Sequence, residues 1–275
     1  MNKKTIAVTM VKDEEDVIRA VLRHMEAQVD GILIADNMST DRTLDILTAV
    51  AEGSSIHVKI VVDHQVGYTQ SVKMTALADI ARKQMGAKWI VPFDADEIWV
   101  PTHHKRLADI PLNIGPDANV VPAALFDYVA TGLDDARQKN PIKRLQWRRG
   151  YEAELPKVMC QWRSDMKIGM GNHDVSYATG KAEATEPLIE IKHFPYRTAE
   201  QVVRKIRNGA RAYEATKLPD HYGAHWRQWG QILELQGEEA IVELFHKWHW
   251  REDPTVDFEI DGDHQPALIY DPVQA

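Results

Sequence analysis

The sequence predicts an α/β fold: a mostly parallel sheet with helices on both faces and a helical elaboration at the C-terminal end. Over the first hundred residues, short apolar runs rich in β-branched residues alternate with segments whose apolar positions recur at helical spacing. Asp13, Asp36, Asp63 and Asp94 all fall at or just beyond the ends of those apolar runs. In open α/β sheets, ligands gather at the carboxyl ends of the strands, so four acids there point to a polar ligand edge. Asp is also favoured wherever strands end and helices begin, which is the plainer reading.

The elements follow in order. "TIAVTMV" (5–11) is a strand that stops at the charged "KDEED", and Val17, Ile18, Val21, Leu22 and Met25 then mark one face of a helix. "GILIAD" (31–36) is the second strand. "NMSTDRT" offers several N-caps to a helix bearing Leu44, Leu47 and Val50. "IHVKIVVD" (56–63) alternates like a strand, residues 70–85 have helical spacing, and "KWIVPFD" (88–94) is a fourth strand.

Composition narrows the function classes. No apolar stretch approaches the roughly 18–20 residues needed to span a bilayer, and the apolar run at the start is too short for a secretory signal, so the expectation is a soluble, cytoplasmic protein. The single cysteine, Cys160, has no partner for an intramolecular disulfide and reads as a small core residue. The net charge of −8 is segregated: residues 137–217 carry 17 Lys and Arg against 9 Asp and Glu, between two acidic segments. A basic segment in an acidic protein suits an anionic ligand or a solvated basic face. Neither Gly-x-Gly-x-x-Gly after the first strand nor a P-loop is present, which removes the usual support for dinucleotide or P-loop chemistry.

"IVPFDADEIWVP" (90–101) places Asp94, Asp96 and Glu97 directly after an apolar run. Crowded like charges need a cation, a proton or strong hydrogen bonds to compensate them. The turn is therefore either solvated or a metal site. On an extended strand, residues two apart face the same side, which would point Asp94 and Asp96 at one ligand. Hard carboxylate oxygens suit magnesium or manganese, whose usual partner is a phosphate.

In this order and at these intervals, "VTMVKDEEDVI", "ADNMSTDRTLDIL" and "PFDADEIW" resemble the nucleotide-sugar half of glycosyltransferase family 2, of GT-A fold. "IKHFPYRTAEQVVRKIRNG" (191–209) is similar to the His-containing segment of a bacterial and phage branch of that family. The resemblance implies a GT-A-like domain, a nucleotide-sugar donor, commonly a UDP-sugar, a divalent cation (Mn²⁺ or Mg²⁺), and transfer with inversion. By that resemblance Lys12, Asp13 and Glu14 would lie near base or ribose, and Asp36 would hydrogen-bond the base. Asp94 and Asp96 would form the Asp-x-Asp pair holding ribose and metal, and His193 would be the later metal ligand. The family often has Asn where this chain has Asp13.

The general base for the acceptor hydroxyl is expected to be a carboxylate. Asp174 in "MGNHDVSY" comes first, with Glu97 and Glu154 behind it; Asp beside Asn and Gly is also an ordinary turn residue. "RQKNPIKRLQWRRGY" (137–151) carries six positive residues, with Trp147 and Tyr151 interleaved. Such a stretch can meet a nucleic acid or a sugar and diphosphate, or be a mobile, solvated loop. After Thr198, a capping-box candidate with Gln201, the residues Val202, Val203 and Ile206 mark a helix. Its other face holds Arg204, Lys205, Arg207 and Arg211, and Lys205 or Arg204 would approach the diphosphate. Trp226 and Trp229, then Ile241, Leu244, Phe245 and Trp248, read as helix packing faces, and the acidic end reads as a surface tail that folds back.

The organisation expected is a donor-binding part at 1–135, an acceptor and metal-completing part at 136–217, and a helical extension at 218–275. The acceptor stays open among glycan, protein and modified DNA base. Rival readings are a haloacid-dehalogenase-type phosphatase, whose Asp-x-Asp normally sits on the first strand, a sugar nucleotidyltransferase, and a non-catalytic nucleotide-sugar binding module.

Overall fold

The computed structural model describes residues 4–65, 67, 69–216, 219 and 223–273. The chain divides into two compact units: Met1–His64, Gln70–Phe126 and Glu152–His193 form the first, and Gln65–Thr69, Asp127–Tyr151 and Phe194–Ala275 the second. This division interleaves along the chain, whereas the sequence suggested three consecutive parts. The boundary expected at 217 and 218 lies outside the described residues.

In the first unit, strands β1 (Thr5–Val11), β2 (Gly31–Asp36), β3 (His57–Val62) and β4 (Trp89–Pro92) run parallel in the order β3-β2-β1-β4. Helices α1 (Ile18–Gln28), α2 (Thr43–Gly53) and α3 (Gln70–Ile80) connect them. The first crossover helix forms because Ile18, Val21, Leu22 and Met25 recur on one face, and all four are fully buried. Each contributes about 1.5–3 kcal/mol of burial, and Leu22→Ala is the single change most apt to loosen the helix, by about 2–5 kcal/mol. Gly31 is required at the start of β2, because a Cβ there would stand 3.0 Å from the His57 carbonyl and from Ile6.

Three details depart from the sequence expectation. Leu44 is exposed, and Ile46 takes its place in the core beside Leu47 and Val50. The helix from residue 70 ends in a π turn (Ala81–Met85), closed by Gly86 at φ 78°. Asp94 and Asp96 do not lie on a strand: β4 stops at Pro92, residues 93–96 form a turn, and a separate strand β5 (Glu97–Pro101) follows. Geometry for the acid pair is thus set by a turn, not by strand alternation.

The sheet continues with antiparallel strands. β6 (Val120–Thr131) contributes its first part here, and short helix α4 (Ile110–Asn113) precedes it. β8 (Lys157–Gln161) pairs with both β4 and β6, β9 (Met166–Ile168) with β10 (Val175–Tyr177), and β11 (Ile189–His193) with β5. One face of the unit closes over Ile6, Val8, Leu33, Met74, Leu77 and Ile90.

In the second unit, the later part of β6 pairs with β7 (Trp147–Arg148) and β12 (Trp250–Arg251), and β7 with β15 (Ile269–Tyr270). The basic stretch 137–151 is therefore partly ordered, with a short helix α5 (Pro141–Arg144) capped by the Asn140 side chain. Arg148 pairs with Asp271 at 2.9 Å. Helix α6 (Ala199–Glu214) starts at Thr198, whose Oγ1 accepts from the Gln201 amide, and buries Val202, Val203 and Ile206 as its periodicity requires. α7 (Ala224–Gln236) and α8 (Glu238–His249) pack against it. Ile241 and Phe245 are buried, whereas Trp248 is exposed. The acidic end forms a hairpin, β13 (Phe258–Ile260) and β14 (Asp263–Gln265), turned by Asp261 and Gly262, both at positive φ. No described helix is long and apolar enough to cross a membrane.

Candidate functional site

The site grows from the carboxyl edge of the parallel strands in the first unit. After β1 the chain enters Asp13 at φ 54°, a left-handed position that Asp tolerates. One Asp13 carboxylate oxygen accepts from the Thr40 amide (2.6 Å) and hydroxyl (3.2 Å), and the Asp13 N–H donates to Ser39 Oγ. Lys12 Nζ donates to the Asn37 and Met38 carbonyls, and the Glu14 N–H to Thr43 Oγ1. The polar run expected to cap α2 thus mainly stitches the loops after β1 and β2 together; Asp41 alone turns back, to the Thr43 amide. These bonds fix one wall of the edge before any ligand arrives.

Asp36, at the end of β2, is 1% exposed. Its Oδ2 accepts from the Ser39 amide at 3.2 Å, while Oδ1 is buried with no hydrogen-bond partner. A buried carboxylate oxygen left unsatisfied is costly, and an N–H donor of a ligand would remove that cost.

The turn after β4 holds the three clustered acids, and the cation beside them is Lys157. Because β8 runs antiparallel to β4 with Cys160 opposite Ile90, its first residue reaches the level of the turn. Lys157 Nζ lies 2.5 Å from Asp94 Oδ2 and 2.8 Å from Glu97 Oε1, and is 4% exposed. Glu97 is fully buried, and its other oxygen accepts from the Asp94 amide and from Trp99 Nε1, both at 2.9 Å. Asp94 Oδ1 accepts from Asn172 Nδ2 (3.0 Å) and Gln70 Nε2 (3.4 Å), and Gln70 in turn accepts from the Gly171 amide. Asn172 Oδ1 is buried without a hydrogen-bond partner.

The electrostatics follow from this packing. Burial disfavours charge on Asp94, and although Lys157 opposes it, the Glu97 and Asp96 charges add to it, so the Asp94 pKa is raised. Burial works the same way on Glu97, but Lys157, His193 and the Asp94 N–H overcome it and hold that carboxyl below its usual range. For Lys157, burial disfavours the ammonium, and the two carboxylates prevail and raise its pKa.

The β5 and β11 register sets His193 opposite Glu97 and brings its Nε2 to 3.7 Å from Asp96 Oδ1. Asp96 is 3% exposed. Among the described residues, no group of three or more His, Cys, Asp or Glu is placed to hold a metal by itself.

The remaining candidates lie apart from this cluster in role. Asp174 is exposed, and its side chain lies over Gly169, where a Cβ would strike its Oδ1. Glu154 is exposed in the loop before β8. Lys205 belongs to the second unit, where Nζ donates to the Pro195 carbonyl and lies over the Tyr196 ring. Sequence reasoning missed Lys157, Asn172 and Gln70. A lone Lys ahead of "VMCQ" and an Asn in a Gly turn carry no local signal of an acid 78 or fewer positions away.

Comparison with known proteins gives one family: the model described as glycosyl transferase family 2 matches residues 6–167, more than half of the chain. Among solved structures, residues 1–349 of S. aureus TarS are similar at 11% identity, covering 84% of this chain and 72% of that one, with TM-score 0.37. The same TarS fragment in complex with UDP is similar at 10% identity, covering 98% and 100%, with TM-score 0.38. Glucosyl-3-phosphoglycerate synthase from Mycobacterium tuberculosis, in complex with Mn²⁺, UDP and glucosyl-3-phosphoglycerate, is 23% identical over 45% of this chain and 44% of that one, with TM-score 0.31. No curated protein matches the sequence.

Proposed function

Since the chain belongs to glycosyl transferase family 2, and is thus a nucleotide-sugar glycosyltransferase, we propose that it moves a sugar from a UDP-type donor to an acceptor hydroxyl with the help of a divalent cation. Family membership sets the phosphatase and nucleotidyltransferase readings aside. The observation that carries the donor assignment is Asp36: a buried carboxylate with one unsatisfied oxygen, at the strand edge where a nucleobase N–H would be received. Lys12, Asp13 and Glu14 would form the wall beside the base and ribose, and Asp94, steadied by Asn172 and Gln70, would face the ribose.

The donor set also fits a hard or borderline cation. Lys157 offsets one of three clustered carboxylate charges, and Asp96 with the His193 imidazole supplies an oxygen and a nitrogen suited to Mn²⁺ or Mg²⁺. When bound, the cation would offset the charge that builds on the departing diphosphate. Asp174, exposed in the loop between β9 and β10, is the assigned base, taking the acceptor proton as the hydroxyl displaces the diphosphate with inversion; Glu154 stands behind it. Glu97 is fully buried and engaged on both oxygens, which supports a positioning role over the base role considered from sequence. The basic stretch 137–151 keeps an anionic acceptor, modified DNA included, beside glycan and protein.

The test is release of nucleoside diphosphate from a panel of sugar nucleotides, with Mn²⁺ and with chelator. Asp96→Asn is expected to abolish metal-dependent release with the circular-dichroism spectrum unchanged; full activity in that variant would sink the assignment. Asp174→Asn should lose turnover and keep donor binding.

A further inference from the structure

Asp94, Asp96 and Glu97 place three carboxylates within four residues, yet among the described residues no group of three or more His, Cys, Asp or Glu is placed to hold a metal. Lys157 stands beside two of them. Its ammonium takes one oxygen of Asp94 and one of Glu97, in a place that is almost wholly shielded from water. Glu97's second oxygen is spent on the Asp94 amide and Trp99, and Asp94's second oxygen on Asn172 and Gln70. Asp94 and Glu97 are therefore both engaged by the protein's own groups.

We infer that Lys157 acts as a resident counter-ion that keeps Asp94 out of the metal's coordination, so that a divalent cation is retained only when a nucleoside diphosphate completes its ligand set. This rests on the proposed donor reading. The physical argument is one of competition at a single place. A divalent ion approaching Asp94, whose side chain is 35% exposed, meets a fixed ammonium already 2.5 Å from one carboxylate oxygen, and the two positive charges compete for that oxygen. At Asp96 and His193, two protein donors are too few for a hard cation, which takes about six ligands. The diphosphate oxygens supply the missing negative charge and donors together. Metal and donor are thereby coupled: each raises the other's affinity, as linkage requires. Lys157 is a positioning residue in this scheme, since it acts through Asp94.

The experiment is calorimetric titration of Mn²⁺, with and without UDP, into the wild-type chain and into Lys157→Met. The wild type is expected to bind Mn²⁺ weakly alone and much more tightly with UDP. In Lys157→Met, with Asp94 released, Mn²⁺ alone should bind roughly tenfold tighter or more, and the effect of UDP on Mn²⁺ affinity should shrink. A merely structural role would weaken both. Lys157→Met/Glu97→Gln removes both buried partners at once, guards against a variant that fails to fold, and is expected to show the same tightening at Asp94. If Mn²⁺ alone binds these variants no more tightly than the wild type, while UDP still promotes binding to the wild type, the counter-ion role is overturned and the donor reading stands. If UDP fails to promote Mn²⁺ binding to the wild type at all, the donor reading falls, and this inference with it.

Discussion

Deleting the Lys157 charge is expected to cost the fold several kcal/mol, because it strands Glu97 as an anion with no access to water. The gross attraction between charges 2.8 Å apart is about 6 kcal/mol at an effective dielectric constant near 20. Desolvation of both groups offsets much of it, so the net worth of the pair is far smaller than the cost of breaking it. Lys157→Met should therefore lower unfolding free energy by about 3–5 kcal/mol, the range for breaking a buried pair from one side. Glu97→Gln keeps the shape and a hydrogen-bonding head, leaves Lys157 its contact with Asp94, and should cost less, about 2–3 kcal/mol. The double variant removes both charges, so its loss should fall below the sum, with a coupling of about 2–3 kcal/mol. Urea unfolding of the four proteins at neutral pH, with the denaturant slope checked for constancy, gives each term. A coupling under about 0.5 kcal/mol would refute the reasoning, since it would mean that the pair is solvated and worth no more than a surface bridge.

Three further outcomes follow from named groups. Asp36→Ala should weaken UDP binding by roughly 10- to 100-fold, the worth of a charge-assisted hydrogen bond, with thermal stability little changed because one Ser39 contact is lost; calorimetry separates the two. His249, whose ring lies tilted against Tyr196 with centroids 3.8 Å apart, has its pKa pushed down to about 3 by burial, with the Arg149 charge adding to it. Its unfolded form binds the proton first, so its contribution is complete above pH 6.5 and is lost as pH falls toward 3; His249→Gln should flatten the stability slope there by at most about 1.4 kcal/mol per pH unit in urea titrations. Cys160 is fully buried, with its thiol pushed up to about 12, so a disulfide reagent at neutral pH should label it only after denaturation, and labelling of the native protein would contradict that burial.

The parallel strands, their connecting helices and the acids at their ends were legible in the sequence because each rests on local periodicity. "GILIAD" is a short apolar run of strand length, and Ile18 to Met25 recur at helical spacing, and the structure forms a buried strand and a helix there. The hairpin at Asp261 and Gly262 carries an Asp-Gly turn signal in the sequence, whereas the acidic composition around it points only to a surface tail that folds back. Asp13 and Asp36 were correctly placed at strand ends, but their hydrogen bonds to the next loop were not legible, since those depend on how two loops meet.

The acidic turn marks the boundary most clearly. Sequence alone determined that Asp94, Asp96 and Glu97 crowd at the end of a core strand and that something must offset their charge. Only the tertiary structure decided that a lysine 63 residues after Asp94 offsets part of it, that Asn172 and Gln70 hold Asp94, and that His193 stands beside Asp96. Periodicity encodes which face of an element is buried, within a few residues. Charge compensation is set by strand register, β8 against β4 and β11 against β5, and register joins residues that no local pattern connects.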